Sequence, residues 1–468
     1  MDSTSVFQWV LSGLYAITLV GIVIVVVSEN RNPIRTLAWV LILLLLPAVG
    51  IIFFYFFGQD NRKKKTLFFN YNKNVKDISF ISLLFDSGKE VNPLYSVLVD
   101  LLYQSDRAMV LKGSEIKIIT DGNLKYESLL NDIENARHHI HMQYFLFNND
   151  EIGKKIKSAL MKKASEGVQV RFLYDNVANW QIRPSFYNEM KKSGVEVSPF
   201  LKIRFPSLRS KLNYRNHRKI VVIDGTVGYI GGMNVGMEYT VWRDTHLRIK
   251  GKGVYGLQAH FLMDWHSSGE KIGNHGKYFP PCEEYTDNLL QVVSGGPESE
   301  WENLLQATVR IVITARTYLY IQTPYFLPSE SLCQALLSAA MGGVDVRLML
   351  SSKTDSPYVD PAARSYYEVL LKGGVRIYEH REKFIHAKML VSDDYVSVIG
   401  SANMDFRSFE CNFEINCYLY DRFVAEENKR IFFEDMKECN EILLSEWLLR
   451  PWWKRFSESV MRLFAPLF

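Results

Sequence analysis

The chemistry in this sequence gathers in two short stretches. Residues 216–225 read NHRKIVVIDG and residues 385–394 read IHAKMLVSDD. Each places a lysine two residues after a histidine and an acid five residues after the lysine, giving His217, Lys219 and Asp224, then His386, Lys388 and Asp393. Each continues into Gly-small-x-Asn, as Gly231, Gly232 and Asn234, then Gly400, Ser401 and Asn403. With 10 His, 55 Lys+Arg and 51 Asp+Glu in 468 residues, chance placement gives fewer than one such match, so two copies with one downstream signature are a repeat. Side chains at i and i+2 of an extended segment face the same way. The β-branched run IVVI predicts a buried strand over 217–223, Asp224-Gly225 a tight hairpin turn, and TVGYIGG the return strand. One hairpin then carries His217, Lys219 and Asn234 together, and its copy carries His386, Lys388 and Asn403.

Two histidines, two lysines and two asparagines suit a tetrahedral anion. Ammonium and amide donors hold phosphoryl oxygens and stabilise the charge of a transition state. One histidine can attack phosphorus while the other protonates the leaving oxygen. No metal site and no cofactor are expected, because each half supplies one histidine beside a cation that would repel a metal. Ser401 joins the phosphate-binding candidates through the Gly-Ser-x-Asn signature. A nucleophilic histidine needs its other ring nitrogen held by an acceptor. Each half offers a carboxylate at the start of an apolar strand: Asp244, 27 residues after His217, and Glu414, 28 after His386. Asp224 and Asp393 complete the repeated motif, but their place at hairpin ends marks them as turn residues more than proton carriers. His138, His139 and His141 crowd a strand start and read as surface and strand-start residues. Tyr144 and Tyr325, at matching places in MQYF and TPYF, read as core aromatics able to line a lipid cleft.

The elements that must position these groups are also repeated. YESLLNDIENARHHIHMQYFLF parallels WENLLQATVRIVITARTYLYIQTPYFL, and EGVQVRFLYD parallels GGVDVRLML. Helix and strand patterns alternate, which predicts two α/β copies of one domain, related by a pseudo-two-fold axis that brings the two His-x-Lys faces across one cleft. The expected boundaries are a transmembrane helical hairpin over 1–58, a juxtamembrane segment over 59–107, the first domain over 108–285, the second over 286–445 and an amphipathic C-terminal helix over 446–468. The hairpin rests on two uncharged apolar runs, Val6 to Val27 and Leu37 to Phe57, each about the ~20 residues that span a bilayer. No basic n-region or cleavage site marks a signal peptide. The cluster Arg62 to Lys65 points the remainder of the chain to the cytoplasm; Arg31 and Arg35 between the runs leave a shallow hairpin as the alternative. The C-terminal segment places Trp452, Trp453, Phe456, Val460, Leu463, Phe464 and Leu467 at helical spacing beside Lys454, Arg455 and Arg462, matching a helix at an anionic membrane surface or one docked on its own domain. A net charge of +4 gives no sign of a bulk nucleic-acid binder, and five cysteines without paired spacing read as ordinary thiols. A homo-oligomer is compatible with this composition.

The doubled His-x-Lys-x4-Asp with its downstream Gly-x-x-Asn resembles the tandem branch of the phospholipase D superfamily. Through ENRNPIRTLAW, NHRKIVVIDGTVGYIGGMNVGMEY, WRDTHLRIKG, TPYFLP and GSANMDFRSFECNFE, nearly the whole chain resembles bacterial cardiolipin synthases. The resemblance implies an α/β fold of two phospholipase D-type domains. It implies transfer of a phosphatidyl group between two phosphatidylglycerols, releasing glycerol through a phosphatidyl-histidine and without a metal cofactor, in a multi-pass protein of the bacterial cell membrane. Carried onto this chain it makes His217 and His386 the catalytic pair, with His217 the nucleophile. Lys219, Lys388, Asn234 and Asn403 become the phosphate clamp, and Asp244 and Glu414 the histidine-orienting acids. A phospholipase D-type hydrolase and a phosphatidyltransferase to another alcohol such as serine share these motifs, because water and any alcohol attack the same intermediate. A non-catalytic lipid scaffold does not need both intact His-x-Lys sets.

Overall fold

The computed structural model describes residues 91–201, 214–273 and 275–465, together with the helix Pro33–Leu45 and scattered positions near it. The chain divides into two units, Met1–Lys64 and Lys65–Phe468. In the first, the start of the apolar stretch expected to cross the membrane second belongs to the helix Pro33–Leu45; Leu43 in it and Phe54 beyond it are buried, and the rings of Trp39 and Phe54 meet edge to face at 5.4 Å. Thirteen residues span about 20 Å at 1.5 Å each. Among the described residues no helix is long and apolar enough to cross a membrane. The expected first span, Val6 to Val27, lies largely outside them, as does all of the segment 59–90.

The second unit contains two sheets of one topology. The first comprises β1 (Glu115–Ile119), β2 (His139–Tyr144), β3 (Gln169–Asp175), β4 (Glu196–Phe200), β5 (Ile220–Ile223), β6 (Val227–Gly231) and β7 (His246–Lys250), in the order β1-β7-β6-β5-β2-β3-β4. The second comprises β8 (Leu289–Gly295), β9 (Tyr318–Gln322), β10 (Asp345–Ser351), β11 (Arg376–His380), β12 (Met389–Ser392), β13 (Val396–Gly400) and β14 (Asn412–Tyr420), in the order β8-β14-β13-β12-β9-β10-β11. Adding seven to each label of the first sheet reproduces the second, so the repeat seen in sequence is a repeat of topology. Three additions break it, one of them Arg215–Asn216 beside β14. Cys439–Ile442 pairs antiparallel on the free edge of β11, and Leu111–Lys112 pairs with β8. The start of the expected first domain thus joins the second sheet. The helix Ser96–Asp106 before it also buries Leu98 and Leu102 in the second half's core, with Val293 and Ile311.

The strands alternate as buried sheets must. Ile220 and Val222 face a core shared with Met389 and Val391 of the other half, whereas Val221 and Ile223 face a core closed by the helices α1 (Gly122–Glu134) and α2 (Glu151–Ser165). Asp121 and Asp150 start those helices by accepting from Leu124 N and Gly153 N. The shared core also takes in α3 (Val254–Ser267), and α4 (Arg422–Met436) contributes Ala425 and Phe432. Asp224 and Gly225 both have positive φ, 53° and 70°, as a type I′ hairpin turn requires. The expected strand over 217–223 is shorter than predicted: β5 begins at Ile220. The physical reason is that the segment before it pairs elsewhere. Arg215–Asn216 pairs parallel with Asn412–Phe413, and His217 N donates to the Phe413 carbonyl at 2.9 Å. On the other side of the pseudo-dyad Arg243 N donates to Phe384 O at 3.0 Å and His386 N to Arg243 O at 2.7 Å. Each histidine segment is therefore stitched to the opposite half.

Candidate active site

That stitching decides the geometry. His217 Nδ1 lies 2.9 Å from the Glu414 carboxylate, and His386 Nδ1 lies 2.5 Å from Asp244 Oδ2. The two expected orienting acids hold the histidines, but crosswise: each histidine is oriented by the acid of the other half. Spacing within a half gives no signal for this exchange. The acceptor at Nδ1 fixes the proton there and leaves Nε2 with its lone pair. Lys219 Nζ and Lys388 Nζ fold back to donate to the carbonyls of His217 and His386 at 2.6 and 2.5 Å. An ammonium has three donors, so each can also serve a phosphoryl oxygen.

Both imidazoles are over nine-tenths buried. Burial, with Lys388 adding to it, holds His386 down to about 3, and burial likewise lowers His217. Burial pushes the carboxyls of Asp244 and Glu414 up, but the paired imidazoles and the lysines outweigh it, so both sit below the usual carboxylate range. Burial drives Lys219 well below its ordinary value and Lys388 down to about 8, against the pull of the same two acids. The result is a compact, buried set of six charged or chargeable groups, suited to receive one more negative charge.

The other candidates fall in three places. Asn234 is in the site wall, where Oδ1 accepts from Leu146 N at 3.1 Å and Nδ2 donates to Tyr239 OH at 2.6 Å. Asn403 is buried, and its Oδ1 has no hydrogen-bond partner among the described residues. Ser401, expected to bind phosphate, instead directs its hydroxyl to Glu414 Oε2 at 2.5 Å and accepts from Ile415 N at 2.9 Å. Asp224 and Asp393 sit at the far ends of β5 and β12 from the histidines. Asp224 caps the N–H groups of Arg137, His138 and His139, and Asp393 those of Arg316, Thr317 and Tyr318. There they pin the starts of β2 and β9, as turn residues do. The surface reading of the histidine cluster holds for His138 but not for His139 and His141. Those two are fully buried and share the Gln258 side chain, because the strand start is covered by α3 and Tyr278. Tyr144 is core and takes the hydrogen bond of the buried Lys125, while Tyr325 donates to Asp355 beside Phe384.

Residues not singled out in the sequence complete the site. Phe145 packs edge-on against the His217 ring at 4.9 Å, and Trp242, Tyr239 and Phe384 surround His386 at 5.4–5.7 Å. Behind each orienting acid an arginine grips its backbone carbonyl. Arg218 Nε donates to Glu414 O at 3.0 Å, and its other nitrogens reach Asp264 and Glu298 at 2.6 Å. Arg243 donates to the Asp244 carbonyl and, at 2.8 Å, to Asp435. Asp264 and Asp435 accept in turn from Gln143 and Gln322, at 2.6 and 2.7 Å. The signal available in sequence was the matching glutamine of MQYF and IQTP, with two arginines of the first half, Arg218 within NHRK and Arg243 beside Asp244.

A family model described as cardiolipin synthase, PLD-like domain, matches residues 129–265 and 309–436, and a phospholipase D-nuclease N-terminal model matches 14–59. The cardiolipin synthase of Listeria monocytogenes serotype 4a (strain HCC23) is 40% identical over 79% of this chain and 79% of its own. The major cardiolipin synthase of Bacillus subtilis (strain 168) is 36% identical over 99% of this chain and 100% of its own. That of Geobacillus kaustophilus (strain HTA426) is 37% identical over 97% and 93%. Among solved structures, phosphatidylserine synthase of Haemophilus influenzae Rd KW20 shares the fold with a TM-score of 0.60, covering 80% of this chain and 98% of that one at 14% identity.

Proposed function

The chain belongs to the cardiolipin synthase family of the phospholipase D superfamily, and on that premise we propose that it transfers a phosphatidyl group from one phosphatidylglycerol to another, releasing glycerol. The observation that carries the reading is the crossed pair of His–carboxylate contacts, His217 with Glu414 and His386 with Asp244. In the proposed sequence His217 Nε2 attacks phosphorus, the bond from phosphorus to the glycerol oxygen breaks, and His386 delivers the proton that glycerol leaves with. The acceptor phosphatidylglycerol then gives its hydroxyl proton to His386 and attacks the same phosphorus, breaking the P–N bond and restoring both imidazoles. Lys219 and Lys388 hold the phosphoryl oxygens, and the entering phosphodiester charge raises the basicity of both imidazoles, which supplies the acid. An oriented acceptor hydroxyl reaches an effective concentration of about 10⁵ M or more, enough to outcompete water in so buried a site.

The substrates are lipids, so the catalytic unit works at the bacterial cell membrane. The basic cluster after residue 61 supports a cytoplasmic placement for it; labelling of that unit from outside sealed cells by an impermeant thiol reagent overturns the placement. The activity itself is tested with full-length protein and phosphatidylglycerol in liposomes. One glycerol per cardiolipin is expected. Phosphatidic acid as the main product makes the protein a hydrolase instead, and a product formed only when serine is added makes it a synthase of another lipid.

A further inference from the structure

An amphipathic helix docked on a soluble domain buries its apolar side. The C-terminal helix α5 (Trp452–Arg462) does the reverse. At 3.6 residues per turn, Glu458, Met461 and Ala465 fall on one side and Trp452, Phe456 and Leu463 on the other. It is the first side that docks. Glu458 is 7% exposed and holds Arg450 through two hydrogen bonds of 2.7 and 2.9 Å, Met461 and Ala465 join the second half's core, and Arg462 lies over the Tyr366 ring at 4.2 Å. The aromatic side is left outward: Trp452 is 72% exposed, Phe456 63% and Leu463 77%, with Trp453, Phe464 and Leu449 beside them. So large an apolar face, fixed in place by ion pairs behind it, is built to be covered.

Its surroundings say by what. Lys454 and Arg455 stand beside the face and Arg450 and Arg462 behind it, against two acids, Glu458, which Arg450 neutralises, and Glu368, 4.0 Å from Arg455. Tryptophans beside lysine and arginine are the composition of the bilayer interface, and the positive excess favours anionic headgroups. A second copy of this chain would bring the same positive charges together. We propose that α5 is an interfacial platform that beds its aromatic face in an anionic leaflet. It packs on the short helix Val359–Arg364, and the loop before that helix carries Asp355, which holds Tyr325. Tyr325 lies against Phe384, and Phe384 against His386. The platform therefore ties the lipid surface to the His386 side of the site. This deepens the proposed phosphatidyl transfer, on which its purpose rests, by naming the part of the catalytic unit that meets lipid.

The test uses the full chain with Cys282→Ser and Cys411→Ser, the two cysteines not buried, and Phe456→Cys carrying an environment-sensitive fluorophore. In vesicles containing phosphatidylglycerol the label should blue-shift, be quenched by lipids bearing a shallow quencher, and lose most of its quenching by aqueous iodide. High salt or purely zwitterionic vesicles should weaken the lipid quenching several-fold. Iodide access equal to that in detergent overturns the platform. Protection that grows with protein concentration and without lipid quenching overturns it in favour of a second copy. If lipid quenching appears but no cardiolipin forms, the platform stands and the proposed activity falls.

Discussion

The two halves repeat the same strands in the same order, yet they hold their histidines differently. On one side of the dyad the longer acid Glu414 reaches His217 and is itself steadied by the hydroxyl of Ser401. On the other the shorter Asp244 meets His386 directly, and the position matching Ser401 is Gly232, where an added Cβ would fall 2.2 Å from Asp244 Oδ1. The aromatic shell differs too, with Phe145 at His217 and Tyr239, Trp242 and Phe384 around His386. A duplicated site can thus keep one chemistry in each copy while dividing the roles. The packing around each imidazole, rather than the motif, distinguishes the two copies, and the proposed division into nucleophile and proton carrier can be tested on that difference.

The largest effects should fall on the histidines. His217→Ala and His386→Ala should each lower turnover of phosphatidylglycerol by about 10³-fold or more. The comparison sharpens with a phosphodiester whose leaving group is nitrophenolate, which departs without a proton. His386→Ala should then still form a covalent adduct, visible by intact-protein mass spectrometry, and His217→Ala should not. An adduct in His217→Ala but not in His386→Ala would reverse the assignment. Next come the acids. Asp244→Asn and Glu414→Gln keep the shape but offer an amide, so the imidazole is no longer held in the productive tautomer; kcat should fall about 10²–10⁴-fold. Because the contacts are crossed, Glu414→Gln should abolish adduct formation with the nitrophenyl substrate while Asp244→Asn spares it. The opposite pattern would mean that each acid serves its own half.

Much of this was legible in the sequence because it is local. The hairpin turn at Asp224-Gly225, the alternation of IVVI and the doubled motif are decided by neighbours a few residues apart. The identities of the orienting acids were also within reach, since each sits at a fixed distance from its motif. What the sequence did not carry was which acid meets which histidine. That depends on Arg215–Asn216 leaving its own sheet to pair with Asn412–Phe413, a contact nearly 200 residues long that no periodicity encodes. The same holds for Ser401, whose Gly-Ser-x-Asn setting suggests phosphate until Glu414 is seen beside it, and for His139 and His141, which look exposed until α3 covers them.

The smaller contrast lies between Gly232 and Ser401. Gly232→Ala needs the buried Asp244 carboxylate to move, and a shift of about 1 Å at a reacting group costs on the order of 10²-fold in kcat. Ser401→Gly removes one hydrogen bond from a carboxylate that keeps its histidine, so about tenfold is expected. Circular dichroism melts separate these losses from unfolding. Equal effects at the two positions would mean that the halves are steadied alike and that the asymmetry has no kinetic consequence.

The mildest effect should appear in the pH dependence of the two lysines. Burial brings Lys388 down to about 8 and Lys219 well below its ordinary value. In the substrate-free protein Lys388 is thus an ammonium below pH 8 and neutral above it. The phosphodiester binds the charged form, so the bound pKa is higher, and the free protein must take up a proton to bind once the pH exceeds 8. The value of kcat/KM should therefore fall above pH 8, approaching tenfold per pH unit, while kcat at saturating lipid stays flatter because bound phosphate keeps the ammonium charged. Lys388→Met should lower kcat/KM and erase that limb. Lys219→Met should lower it as well but leave the limb in place, since the group responsible is still present. A limb near pH 8 that survives Lys388→Met and vanishes in Lys219→Met would show that the phosphate's charge is read by the His217 side.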